Sequence, residues 1–172
     1  MKEFFRKFSE VLESKLMPVA DKIGKQRHLA AVKDGMLAYV PFTIIASVFL
    51  IIAYIPIPAY ENFITSILNV ENAGVWQGKL IYVSNATMDV GALYVLIAAT
   101  YSLAKYYNTD KLQATLTSLA AFLVVTPYVF GDNGGNIPMT KVGAQAMFLA
   151  IIVSIVSVEV YRKIEQKGIV IK

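Results

Sequence analysis

Asp89, in Asn85-Ala-Thr-Met-Asp-Val-Gly91, is the one ionisable residue well inside the long apolar stretches of this 172-residue chain. A carboxylate at membrane depth is costly, and it persists either where it touches a transported solute or where a helix end and water stabilise it. The helix-end reading comes first here: Asp89 falls about one turn inside the outer end of a predicted helix, where the macrodipole favours an anion. A transport role is the alternative. Gln145, in the first turn of another predicted helix, suits an interhelical hydrogen bond, and the polar lining of a solute path would use the same residue type. Glu159 stands four residues before Lys163, the favourable order for a surface pair. His28 is the single histidine. A phospho-accepting histidine needs a positioned acid or base and a phosphate pocket. His28 instead stands in the basic run Gly24-Lys-Gln-Arg-His-Leu-Ala-Ala-Val-Lys33, and we read it as structural or interfacial.

Composition narrows the chemistry further. Apolar residues make up 56% and charged residues 16%, against about 45–50% and about 25% in an ordinary soluble domain. With a mean hydropathy of +0.56, a disordered chain, a collagen-like chain and a highly charged nucleic-acid-binding domain are excluded. Cysteine is absent, so disulfide frameworks, thiolate metal sites, cysteine nucleophiles and multi-histidine zinc sites cannot be built from these residues. There is no Gly-rich phosphate loop, no Gly-x-Ser-x-Gly elbow and no His-Glu-x-x-His. No catalytic residue, metal or cofactor is expected.

The elements that position these residues follow from the spacing of charge. Asp, Glu, Lys and Arg are missing from 35–60, 112–131 and 142–158, and 80–104 holds only Asp89. About 20 apolar residues cross a hydrocarbon core of about 30 Å as a helix. Four transmembrane helices are therefore predicted, at 35–56, 85–106, 112–131 and 142–161. Ile-Pro-Ile-Pro58 ends the first, and Gly131-Asp-Asn-Gly-Gly-Asn-Ile-Pro138 is a run of turn residues that closes the third. Residues 106–111 form a tight link. Residues 57–84 form the longest connector, with a short surface helix around Tyr60-Glu-Asn-Phe-Ile-Thr-Ser.

Of the sixteen Lys and Arg residues, all but Lys79 and Lys141 fall before the first span, beside the 106–111 link or in the tail. That side is expected to be cytoplasmic, which puts both termini inside. The +4 charge is thus a topology signal, and no nucleic-acid partner is read from it. Residues 1–34 are predicted as cytoplasmic amphipathic helices whose Phe4, Phe5, Phe8, Leu12 stripe lies in the headgroup layer or against the bundle. Residues 35–161 form the bundle, and 162–172 form a cytoplasmic tail.

Small residues recur along single faces. Ala146, Ala150 and Ser154 share one on the last helix, Ala114, Ser118 and Ala121 one on the third, and Gly91, Ala98 and Ser102 one on the second. Such faces let backbones approach in lipid, within a bundle or between copies of the chain.

Several stretches together resemble a known family. They are Leu16-Met-Pro-Val-Ala-Asp-Lys-Ile-Gly-Lys-Gln-Arg-His-Leu-Ala-Ala-Val-Lys-Asp-Gly-Met36, Pro41-Phe-Thr-Ile-Ile-Ala-Ser-Val-Phe-Leu50, Ala98-Ala-Thr-Tyr-Ser-Leu-Ala-Lys-Tyr-Tyr-Asn-Thr-Asp-Lys-Leu112 and Ala121-Phe-Leu-Val-Val-Thr-Pro-Tyr128. They are similar to the N-terminal part of the lactose/cellobiose/diacetylchitobiose-type enzyme IIC, the permease of the bacterial sugar phosphotransferase system. The resemblance implies a bacterial cell-membrane permease that binds a disaccharide and passes it to a soluble IIB component, itself phosphorylated by IIA. It implies that this part is scaffold and homodimer interface, with the sugar-binding residues in a later half. The ending, Tyr161 to Lys172, resembles the stretch leading into a fifth span, so the chain reads as cut within a longer protein. A freestanding four-helix interaction module or channel subunit is the competing reading, and it would make Asp89 its foremost residue.

Overall fold

The computed structural model describes residues 26–131 and 134–168. Its helices are α1 (Arg27–Ala53), α2 (Pro58–Ile67), α3 (Ala73–Met88), α4 (Gly91–Tyr107), α5 (Lys111–Val125) and α6 (Met147–Gln166). A small antiparallel hairpin, β1 (Val129–Gly131) with β2 (Gly134–Asn136), stands between α5 and two 3-10 turns, Met139–Lys141 and Ala144–Ala146. The protein is an α-helical integral membrane protein. Three stretches, Arg27–Ala53, Ala73–Tyr107 and Met139–Gln166, are long and apolar enough to cross a bilayer, and α5 is a shorter apolar helix.

α1 runs through the expected start of the first span without a break, because Arg27-His-Leu-Ala-Ala-Val-Lys-Asp carries no helix breaker. The amphipathic segment expected before it lies, up to residue 25, outside the described residues. Pro41 sits inside α1, where a membrane helix tolerates it because neighbouring groups re-satisfy the freed backbone. The helix stops at Ala53, with Tyr54 as its C-cap, and Pro58 opens α2 from the first turn, a position where the missing amide costs nothing.

The connector expected over 57–84 proves largely helical. α3 lies antiparallel along the second half of α1: Gln77 Nε2 donates to the Ala53 carbonyl at 3.0 Å, and Tyr39 OH to the Met88 carbonyl at 3.3 Å. The second span therefore does not begin at 85. It belongs to a stretch of 35 residues, Ala73–Tyr107, interrupted at Asp89-Val90. At that break Gly91 fits against Tyr39 and Met147 so closely that a Cβ would lie 2.7 Å from the tyrosine ring.

The third span is shorter than the expected 112–131. Pro127 bars its predecessor from helical backbone, and Thr126 is accordingly extended at ψ 126°. The last apolar stretch, Met139–Gln166, contains the expected 142–161, but continuous helix begins only at Met147, because Gly143, at ψ −154°, divides two short turns before α6. The tight link is as expected: Asn108 closes α4 in the left-handed conformation, and Asp110 caps α5 by accepting from Gln113 N at 3.0 Å.

Two core layers stack along the bundle. Ala31, Leu103, Ala104, Ala114 and Val158 form one, at the end rich in Lys and Arg, and Ala92, Leu96, Phe122, Val142, Ala146 and Ala150 form the other. We call these the basic end and the opposite end.

Candidate functional site

At the opposite end Asp89 and Gln145 meet. Both line a pocket of about 240 Å³ together with Met139, Thr140, Gly143 and Ala144. Two helix interruptions create it: the break at Asp89-Val90 between α3 and α4, and the paired 3-10 turns before α6. Irregular backbone at membrane depth occurs where it lines a cavity or is enclosed by protein. The turns are bound to the break directly, since Ala92 N donates to the Val142 carbonyl at 2.9 Å. Gly143 lies so near that a Cβ there would sit 2.9 Å from the Asp89 carbonyl oxygen.

Asp89 is not inside a first helical turn. It is the C-cap of α3, where the carbonyl end of one dipole repels an anion, and it immediately precedes α4, whose amide end attracts one. The two fields oppose each other. Gln145 likewise lies in the second 3-10 turn, ahead of α6 rather than within it. Among the described residues no hydrogen bond reaches the Asp89 carboxylate or the Gln145 amide. A half-buried carboxylate, an exposed carboxamide and the Thr140 hydroxyl can exchange hydrogen bonds with a polar solute. Among the described residues no group of three or more His, Asp or Glu side chains is placed to hold a metal ion.

The basic end is arranged differently. Glu159 on α6 takes the Tyr107 hydroxyl of α4, has His28 Nε2 of α1 at 2.9 Å, and has an Arg162 guanidinium nitrogen at 3.2 Å. His28 Nε2 is also 3.2 Å from the Tyr107 oxygen. Arg162 lies over the Tyr107 ring at 4.1 Å and Arg27 at 5.4 Å, both within cation–π range. One carboxylate thus joins α1, α4 and α6. The Glu159–Lys163 surface pair expected from spacing is replaced by Arg162, one residue nearer, because Glu159 faces the neighbouring helices. His28 has a structural partner across the bundle.

A second link at this end joins α1 to α4. Ser102 donates to Asp34 Oδ2 at 2.5 Å and Tyr106 OH to the same oxygen at 3.3 Å. One turn further in, a Cβ on Gly35 would lie 2.8 Å from Ala99 Cβ, so α1 and α4 touch through their backbones.

The small-residue positions serve the bundle of this chain. Gly91, Ser102, Ala114, Ser118, Ala146, Ala150 and Ser154 are all buried within it, while Ala98 is half-buried beside Tyr101. Sequence reasoning missed Tyr107 and Asp34, which pair with residues far away in the chain and leave no local signal, and Arg162, whose i, i+3 spacing from Glu159 is a local signal. Thr140 was missed because it sits in what reads as a connector.

A polytopic helical bundle with interrupted helices and side-chain contacts between them places the protein in the class of α-helical integral membrane proteins. Residues 33–172 match the family described as Phosphotransferase system, EIIC, and the chain belongs to that family. It is 44% identical, over 96% of its length, to the PTS system cellobiose-specific EIIC component of Geobacillus stearothermophilus. It is 39% identical, again over 96%, to the lichenan permease IIC component of Bacillus subtilis strain 168. The chain spans 38% of the length of each of these relatives. The crystal structure of ChbC, the IIC component from an N,N'-diacetylchitobiose-specific phosphotransferase system, superimposes with a TM-score of 0.82 at 39% identity. That superposition covers 94% of this chain and 39% of ChbC.

Proposed function

We propose that this chain supplies the N-terminal scaffold of a sugar permease, the enzyme IIC of a phosphotransferase system. The permease takes up a disaccharide of the cellobiose, diacetylchitobiose or lactose type and presents it to IIB, which IIA has charged, for phosphorylation. The observation that carries this reading is the superposition on ChbC, which runs through the broken α3–α4 stretch and α6 alike at 39% identity. In this reading the basic end is cytoplasmic, since it gathers Arg27, Lys33, Lys105, Lys111, Arg162 and Lys163. Residues 1–34 then lie at the cytoplasmic face, 35–161 form the embedded scaffold, and 162–172 lie at that same face. The scaffold also carries the homodimer contact. The chain itself performs no chemical step; it holds the frame, and the Asp89–Gln145 pocket opens toward the outside.

The test is a split permease. Membranes containing this chain, the C-terminal remainder of the Geobacillus cellobiose relative and soluble IIA and IIB are expected to phosphorylate cellobiose. Membranes with this chain but without the remainder are expected to be inactive. Turnover by this chain and the soluble components alone would overturn the scaffold reading, as would inactivity of the split pair when both parts are inserted and recovered together.

A further inference from the structure

The basic end carries a groove of about 570 Å³ on its outer surface, between α1, α4 and the start of α5. Ala38, Ile97, Ala98, Leu112 and the Tyr101 ring give it an apolar wall. Two charges of opposite sign line it as well, Asp34 and Lys111. Neither occurs by accident of a mobile side chain. Ser102 and Tyr106 both donate to one Asp34 oxygen, Oδ2, which fixes the carboxylate and leaves Oδ1 unclaimed by these two. Lys111 Nζ lies 5.7 Å from the centre of the Tyr101 ring, and both residues line the groove. The groove runs from these charges toward Ile97, roughly 7 Å further along α4 at 1.5 Å per residue. Charge is confined to the end level with the 106–111 link.

An apolar trough with a charged mouth at the membrane boundary fits a single phospholipid. The charges select its headgroup. A net-negative headgroup would meet the fixed Asp34 carboxylate as well as Lys111. A choline headgroup offers no N–H to that carboxylate. A primary ammonium and a phosphate on one headgroup match Asp34 and Lys111 respectively, and the phosphate–lysine contact is of the kind that holds lipids at basic sites. We propose that this groove is a specific site for phosphatidylethanolamine, its ammonium on Asp34, its phosphate on Lys111 and the upper part of one acyl chain along Ala38, Ala98 and Ile97. The site does not depend on the sugar-permease reading.

Native mass spectrometry of the full chain in a mild detergent, after delipidation and exposure to an equimolar mixture of phosphatidylethanolamine, phosphatidylglycerol and phosphatidylcholine, tests it. Phosphatidylethanolamine adducts are expected to exceed either competitor, and Lys111→Ala is expected to reduce them about fivefold, the effect of one basic residue at a headgroup. Asp34→Asn is expected to abolish the preference over phosphatidylcholine. Ala98→Trp fills the trough without touching either charge and is expected to remove the adduct. Because Lys111 is partly exposed and joins no core layer, its variant keeps the test decisive if the other two fail to fold. Equal retention of the three lipids, preference for phosphatidylglycerol, or an unchanged adduct in Lys111→Ala would overturn the proposal. So would disulfide cross-linking of a Leu112→Cys variant into dimers in native membranes, which would make a second copy the occupant.

Discussion

The two ends of this bundle treat a half-buried carboxylate in opposite ways. At the basic end Glu159 is enclosed by a tyrosine, a histidine and an arginine drawn from three helices. At the opposite end Asp89 stands between two broken helices with no partner among the described residues. The first arrangement spends a charge on holding helices together. The second leaves a charge available, and the backbone around it is secured by other means: the Ala92–Val142 hydrogen bond and the close fits at Gly91 and Gly143. Rigidity and availability are thus separated along the bundle axis.

Stability measurements can break or sharpen that contrast. The largest effect is expected at the basic end from Gly35→Val. Its Cβ would lie 2.8 Å from Ala99 Cβ and 3.0 Å from the Ala99 backbone nitrogen, and overpacking against backbone costs about 3 kcal/mol. In detergent the variant should show a sharply lowered midpoint of thermal unfolding or fail to elute as a single species.

Next comes Glu159→Ala, which strands Tyr107, His28 and Arg162 together. Partial exposure of the ion pairs tempers the cost to about 1–2 kcal/mol. The unfolding midpoint should fall while the emission of Trp76, buried in α3 far from the change, stays constant at 25 °C. A shifted Trp76 spectrum would show that the two ends are not independent.

Gly143→Ala acts at the opposite end. A methyl group 2.9 Å from the Asp89 carbonyl oxygen must push the 3-10 turns away from the break, at about 1 kcal/mol. Hydrogen exchange of the amides at 89–92 should quicken, and those at 103–107 should not change. The smallest effect belongs to Asp89→Asn, expected to shift stability by less than about 0.5 kcal/mol because no native contact is lost. A loss comparable with that of Glu159→Ala in the same unfolding assay would mean that Asp89 is a structural group after all, and the contrast between the ends would collapse.

Much of the architecture is legible in the sequence because lipid imposes a simple rule: charge marks where a helix leaves the hydrocarbon. The charge-free stretches located α1, α4, α5 and α6. What the rule misses is backbone that stays helical outside such a stretch. α3 holds Gln77, Lys79 and Asn85, so it reads as connector, yet it packs along α1 through contacts such as Gln77 to Ala53. The ends of α5 and α6 follow local steric facts, Pro127 and Gly143, that outweigh an apolar run. For the site, the residue types Asp89 and Gln145 were readable as polar groups within apolar surroundings. Their convergence on one pocket was not, because it depends on the break at Asp89-Val90 bringing the 139–145 turns against it. The Glu159 contacts show the same limit: an i, i+4 rule sees Lys163, whereas the rotation of α6 turns Glu159 toward His28 and Tyr107.

The brevity of α5 has a mechanical consequence. Fifteen residues reach only about 22 Å along their axis, against about 30 Å of hydrocarbon. A helix that short is met by local thinning of the bilayer, by snorkelling of flanking side chains or by packing against a neighbour, and the hairpin with its exposed Val129 and Phe130 follows directly on its end. α1, which extends for 27 residues, imposes no such deficit. Each of these accommodations carries a cost that grows with the mismatch. The short helix therefore favours a thinner bilayer beside it than α1 does.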